Sequence, residues 1–418
     1  MADKRPESKR KEEKSSHNSI FSKENVNMGR QPELDYYKAI LIFIMVLVHF
    51  YENNARDIFS YSIEFIGILS GAPGFMFLMG IGLKYSRHND TSNYISRGIV
   101  LITKGQIVNF LRYALPNLIA WWTTGNKIFI SRALIVLQPD ILTFAGFSFF
   151  FFALLKKNKL SDNSILTIGF IMNITGFLLF HFITPPKSFL LKQLLGFFVL
   201  TYTESYFSFL SYFIFVAAGH WFGGIYQKVS NKDKFFNLIL ISFIPTVYIY
   251  SYLRVYYNFP MFPEWGSDEH FCLNPGPDAI ASCMCTAIAF GIYNKIDKIF
   301  KGKTPHLITH TSKNLNKYYM LHYILIIQIS TFVRATRGDI FPSKFKYPTL
   351  YAIMILVLCK IIIDINDNYI HFTITNLKNS VKIVVYPLIW MTTIISVIYI
   401  YPKVETYTTF WNNYLYEE

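Results

Sequence analysis

Eleven stretches of this chain read as apolar helices, and a chain with so many has few folds open to it. They are Tyr36–Tyr51, Ser60–Leu83, Ile99–Trp121, Ile141–Leu155, Ile165–Ile183 and Tyr206–Ile225 in the first half. Phe235–Tyr252, Ile280–Tyr293, Leu315–Val333, Thr349–Ile365 and Ile383–Tyr401 follow. A bilayer core asks for about 20 mostly apolar residues per helix, and it forbids unpaired backbone groups, which leaves helices as the natural solution. Phe189–Leu200 is also apolar, but it is short and carries Lys192, so it reads as re-entrant or interfacial. Charged residues make up only 16% of the 418 residues, against about 25% in soluble domains. That deficit excludes a soluble multidomain protein. The expected fold is an all-α, polytopic membrane helical bundle of about 11 transmembrane helices. It spans 34–402 between a disordered cytoplasmic tail, 1–33, and a short C-terminal tail, 403–418.

The formal charge of +14 points to membrane topology rather than to nucleic acid. Lys4, Arg5, Lys9, Arg10, Lys11 and Lys14 crowd the polar N-terminal tail. With that tail in the cytoplasm, Lys84/Arg87, Lys156/Lys157/Lys159, Lys228/Lys232/Lys234 and Lys295/Lys298/Lys301/Lys303 fall on the same side. This is the positive-inside pattern. Arg334, Arg337, Lys344 and Lys346 cluster on the opposite side. An integral protein of the plasma (inner) membrane follows as the expected location, with lipid as its first partner and a second copy of the chain as a candidate one. The four cysteines are too few for a disulfide framework, and Cys283 and Cys285 point about 200° apart on a helix. No metal site is expected.

Ionisable groups inside spans cost about 2.5–3.5 kcal/mol on insertion scales, so they face a cavity or a partner. The first span holds Asp35, Lys38, His49 and Glu52 along one stripe. His49 lies about 21 Å beyond Asp35 along the axis. One reading makes His49 functional; the other makes Asp35 and Glu52 markers of the two membrane interfaces. The third span carries Arg97, Lys104 and Arg112 within about 80° of one another, with Asn109 further round. That stripe suits an anionic ligand, or pairing with acids such as Asp140. His220 and His322 are further candidates, each also readable as a structural histidine. Lys360 and Asp364, four apart, form an ordinary helix-face pair.

Taken in order, several segments resemble the transmembrane acyltransferase superfamily. It joins the type 3 acyltransferases of bacterial surface glycans to proteins similar to heparan-α-glucosaminide N-acetyltransferase. The resemblance rests on Asp35 with His49 and on Ala72-Pro73-Gly74-Phe75-Met76-Phe77-Leu78-Met79-Gly80. Arg97-Gly98 with Lys104-Gly105 and Asn109, Tyr206 to Phe209 with Gly219 and Gly223, and Ser312 to His322 extend it. Type 3 acyltransferases have Arg eleven residues before the first-span His, where this chain has Lys38; Lys keeps the charge but not the fork.

The resemblance implies acyl transfer, expected to be acetyl transfer, from acyl-CoA to a hydroxyl or amine of a carbohydrate acceptor. It makes acyl-CoA a co-substrate, with no bound cofactor. His49 becomes the catalytic base, with Glu52 and Asp35 beside it, and Lys38, Arg97, Lys104 and Arg112 the donor-binding group. His220, His322 and Asp140 stay as other candidates. The competing class is a multi-pass transporter or flippase with a proton-relay histidine, which matched broken helices would signal.

Overall fold

A computed structural model describes residues 19–51, 63, 66–67, 70–88, 90–133, 136, 139–184, 189–199, 207–256, 273–337, 348–371, 386–388 and 391. Among the described residues the chain is helical, with a single isolated antiparallel bridge between Phe21 and Val229. The first half contains α1 (Pro32–Tyr51), α2 (Ala72–Tyr85), α3 (Thr91–Asn109), α4 (Leu115–Thr124), α5 (Ile128–Ala133), α6 (Ile141–Lys157) and α7 (Asp162–Phe182). The second contains α8 (Phe189–Phe198), α9 (Phe209–Tyr226), α10 (Lys232–Tyr256), α11 (Gly276–Ile299), α12 (His306–Lys313), α13 (Leu315–Arg337) and α14 (Pro348–Ile365). A π turn, Phe110–Ala114, joins α3 to α4, and a second, Asn366–Ile370, follows α14.

Local chemistry sets several of these boundaries. Pro32 opens α1 and Pro73 sits in the first turn of α2, where a missing N–H is harmless. Asp90, Asp140 and Ser161 cap α3, α6 and α7, each side chain accepting the N–H three residues on. The Asn93 side chain, and then its backbone N–H, hold the Asp90 carboxyl below the usual carboxylate range. Gly125, at φ +67°, closes α4 by donating its N–H to the Trp121 carbonyl.

Packing follows small residues and aromatic rings. α2 and α9 cross at Gly80 and Gly219, where a Cβ on either would run into the facing backbone, at Val216 O and Phe77 O. Around that crossing Tyr212, Phe213, Phe215, Phe144 and Phe152 form a fully buried aromatic core. α1 runs through the middle of the bundle, packed by α2, α11, α12, α13 and α14. Tyr37 on α1 bonds Thr286 on α11 at 3.0 Å, and its ring meets Phe290 edge-on.

Outward faces are greasy. Ile171 on α7 is 59% exposed, Ile241 on α10 66% and Met354 on α14 57%. Such surfaces belong against lipid. Asp162–Phe182, Phe209–Tyr226, Lys232–Tyr250, Gly276–Ile299 and Pro348–Ile370 are each long and apolar enough to cross a bilayer. The protein is therefore an all-α membrane bundle, in which five described helices meet the length and hydropathy of a span, against the eleven expected. The expected second span, Ser60–Leu83, includes α2 of 14 residues after a break at Gly71, and Ile383–Tyr401 lies almost wholly outside the described residues.

Candidate active site

α1 and α13 start at the same end of the bundle, tied there by Asp35, which accepts hydrogen bonds from Arg30 and from the Ser312 hydroxyl. Two to four turns further along, the two helices bring their histidines together. The His49 and His322 rings lie 5.7 Å apart between centroids and nearly parallel, at 20°. Tyr323 lies against both, at 4.4 Å from His49 and 4.6 Å from His322. Tyr319, His322 and Tyr323 share one face of α13 because residues three and four apart are helix neighbours.

His322 is fully buried. Its Nδ1 stands 2.9 Å from the Tyr318 carbonyl oxygen, which can only accept, so the proton resides on Nδ1. In the neutral ring Nε2 then presents a lone pair, and it makes no hydrogen bond among the described residues. His49 is half-buried in the last turn of α1.

The third side of the site comes from the π turn. Its wider winding breaks the ordinary i−4 hydrogen-bond ladder, and the Gln328 amide of α13 donates to the Leu111 carbonyl at 3.2 Å. The same turn aims Arg112 inward, where it is 4% exposed. The guanidinium lies 4.5 Å from the centre of the Tyr113 ring and 4.6 Å from that of Tyr323. Cation–π contact with both rings holds it in place. Arg112 makes no ion pair among the described residues, and its Nε has no hydrogen-bond partner there.

Asp140 borders this group without pairing Arg112. Its Oδ1 accepts the Thr143 N–H at 2.9 Å and hydroxyl at 3.0 Å, and the Tyr319 hydroxyl stands 3.5 Å from Oδ2. Of the residues singled out in the sequence, the structure thus gathers His49, His322 and Arg112, with Asp140 one tyrosine away.

The others are elsewhere. Asp35 anchors the opposite end of α1, fourteen residues or about 21 Å from His49. Lys38 is half-buried near that same end. Arg97 is exposed, donating to the Ser86 hydroxyl at 3.2 Å, and Lys104 is half-buried about 12 Å along the helix from Arg112. His220 belongs to a separate cluster, with Nδ1 3.5 Å from Asp162, which pairs Lys84 at 2.6 Å. Glu52 lies outside the described residues. Tyr113, Tyr319, Tyr323 and Gln328 escape a search for charged groups in spans, although the spacing of Tyr319, His322 and Tyr323 on one helix face is visible in the sequence.

No group of three or more His, Cys, Asp or Glu side chains able to hold a metal occurs among the described residues. The family model described as heparan-alpha-glucosaminide N-acetyltransferase, catalytic, matches residues 30–251, more than half of the chain. Comparison with curated proteins and with solved structures gives no match. The matched region includes His49, Arg112 and Asp140, while His322 comes from α13 beyond it.

Proposed function

Because the chain belongs to the family of the heparan-α-glucosaminide N-acetyltransferase catalytic domain, we propose that it is an integral-membrane acyltransferase that moves an acetyl group from acetyl-CoA to a glycan hydroxyl or amine. The observation that carries this reading is His322, buried beside His49 with its Nδ1 committed and its Nε2 without a hydrogen-bond partner among the described residues. A fixed tautomer that turns one lone pair away from the backbone is the arrangement a general base needs.

In this reading the acceptor binds beside the histidine pair. Nε2 of His322 takes the proton from the acceptor O–H or N–H as that oxygen or nitrogen bonds to the acyl carbon. The carbon–sulfur bond then breaks, its electron pair leaves on sulfur, and the imidazolium returns the proton to the thiolate. His49 orients the acceptor on the outward side. Asp35 is a positioning residue that fixes α1 against the α12–α13 turn, and Lys38, Lys104 and Arg97 guide the charged donor along α1 and α3. With the N-terminus in the cytoplasm of a plasma-membrane protein, acetyl-CoA arrives from the end rich in lysine and the acceptor from the other.

The test uses membranes containing the protein, acetyl-labelled CoA and an α-glucosaminide as acceptor probe. Wild type is expected to transfer label, and His322→Ala and His49→Ala to lose about 10²-fold or more at unchanged protein level. Wild-type transfer by both variants defeats the assignment of the base. A proton-coupled transporter, the competing class, would place no label in the probe at all.

A further inference from the structure

Arg112 is a buried cation that no carboxylate contacts directly among the described residues. It is 4% exposed and stands on a π turn beside the histidine pair through their shared neighbour Tyr323. Taking such a charge out of water is expensive unless an anion meets it. Its two tyrosine faces contribute cation–π attraction but no negative charge. The acid next to it, Asp140, acts on it only at longer range: Oδ1 caps α6, Oδ2 faces the Tyr319 hydroxyl, and neither oxygen makes an ion pair with the guanidinium. The donor's diphosphate is a poor candidate for the missing anion. In acyl-CoA the whole pantetheine arm separates the diphosphate from the thioester, and Arg112 lies where the thioester must be, beside His322.

We infer that Arg112 is a catalytic residue that holds the oxyanion of the acyl-transfer intermediate, an inference that rests on the acyltransferase reading above. As the acceptor heteroatom bonds to the acyl carbon and its proton passes to His322, the carbonyl π pair moves onto oxygen. That oxygen becomes the anion that neutralises the guanidinium. When the pair returns to carbon, the carbon–sulfur bond breaks and sulfur leaves with its electrons. Arg112 then makes direct contact with a full negative charge only at the top of the reaction. Interactions that exist only there accelerate the chemical step rather than ground-state binding. The π turn and the two rings keep the guanidinium pre-positioned, so no reorganisation is needed when charge develops.

Two substitutions and one probe test this. Arg112→Met keeps the volume and removes the charge, and Arg112→Lys keeps the charge without the fork. Arg112→Met is expected to lower kcat about 10²–10³-fold while KM for acetyl-CoA stays within roughly threefold. Its melting temperature in detergent is read alongside, so that loss of fold is separated from loss of turnover. Arg112→Lys falls between the two in kcat. Methylphosphonate, an anionic tetrahedral probe, should raise the melting temperature of wild type but not of Arg112→Met, and neutral acetamide should raise neither. The inference fails if Arg112→Met keeps wild-type kcat, if its defect lies wholly in KM for acetyl-CoA, or if methylphosphonate stabilises both proteins alike. Absence of transfer by wild type, with methylphosphonate stabilisation still dependent on Arg112, would overturn the acyltransferase reading and the oxyanion role while leaving an anion site.

Discussion

Glu33 is a carboxylate almost fully withdrawn from solvent, at 1% exposure, and it survives there through two partners. The Lys232 ammonium stands 2.8 Å from Oε1, and the Tyr226 hydroxyl donates to the same oxygen. Breaking one side of a buried pair leaves an uncompensated charge, so Lys232→Met is expected to destabilise by about 3 kcal/mol. Adding Glu33→Gln should recover a large part of that loss, and thermal unfolding of the single and double variants in detergent measures the coupling. At this scale the sequence is a good guide to which residues matter. The cost of charge in lipid singles out His49, Arg112 and His322. It is a poor guide to which of them meet. Asp35, Lys38 and His49 share a helix face, and the rise of about 1.5 Å per residue already sets Asp35 about 21 Å from His49; what the sequence does not show is that His322 of α13 packs against His49. Nor does 100° per residue hold through Phe110–Ala114, because a π turn rephases the helix just where Arg112 sits.

Helices approach one another as closely as their smallest residues permit, and α2 offers an internal control. Gly80 faces the backbone of α9, whereas a Cβ on Gly82 would meet nothing within 4 Å. Gly80→Ala should therefore push α2 off α9 and cost about 1–3 kcal/mol, the range for overpacking a filled contact. Gly82→Ala, two residues on, should be neutral or stabilise by about 0.5–1 kcal/mol through lower chain entropy. Melting temperatures of the two variants give opposite signs if the crossing is as described. The small-residue run through Gly80 announces a close approach in the sequence itself; its partner, Gly219, becomes visible only when the bundle is assembled.

Across the whole molecule, the ion pairs among the described residues gather at the end where α1 begins. They include Arg30–Asp35, Lys232–Glu33, Lys84–Asp162, Lys298–Asp233, His310–Asp364 and Lys317–Asp367. The His49, His322 and Arg112 group lies toward the other end. If the lysine-rich end faces the cytoplasm, a membrane-impermeant maleimide should label Asn126→Cys in intact cells and Ser230→Cys only after lysis, in a background lacking the native cysteines. The reverse pattern would invert the molecule. Helical character, lipid-facing surfaces and this asymmetry of charge are all legible in composition and periodicity. The number of spans is less so, because breaks such as the one at Gly71 divide a continuous hydropathy signal into shorter helices.

The partners of the opening helix come from far along the chain. Glu33 waits for Lys232, separated from it by 199 positions, and Asp35 for Ser312, separated by 277. A ribosome delivers residues in order, so α1 emerges with Asp35 already able to pair Arg30 but with Glu33 still without Lys232. The insertion machinery must shelter a half-made molecule until α12 emerges, and any premature stop before Ser312 releases a product whose first helix has no finished dock.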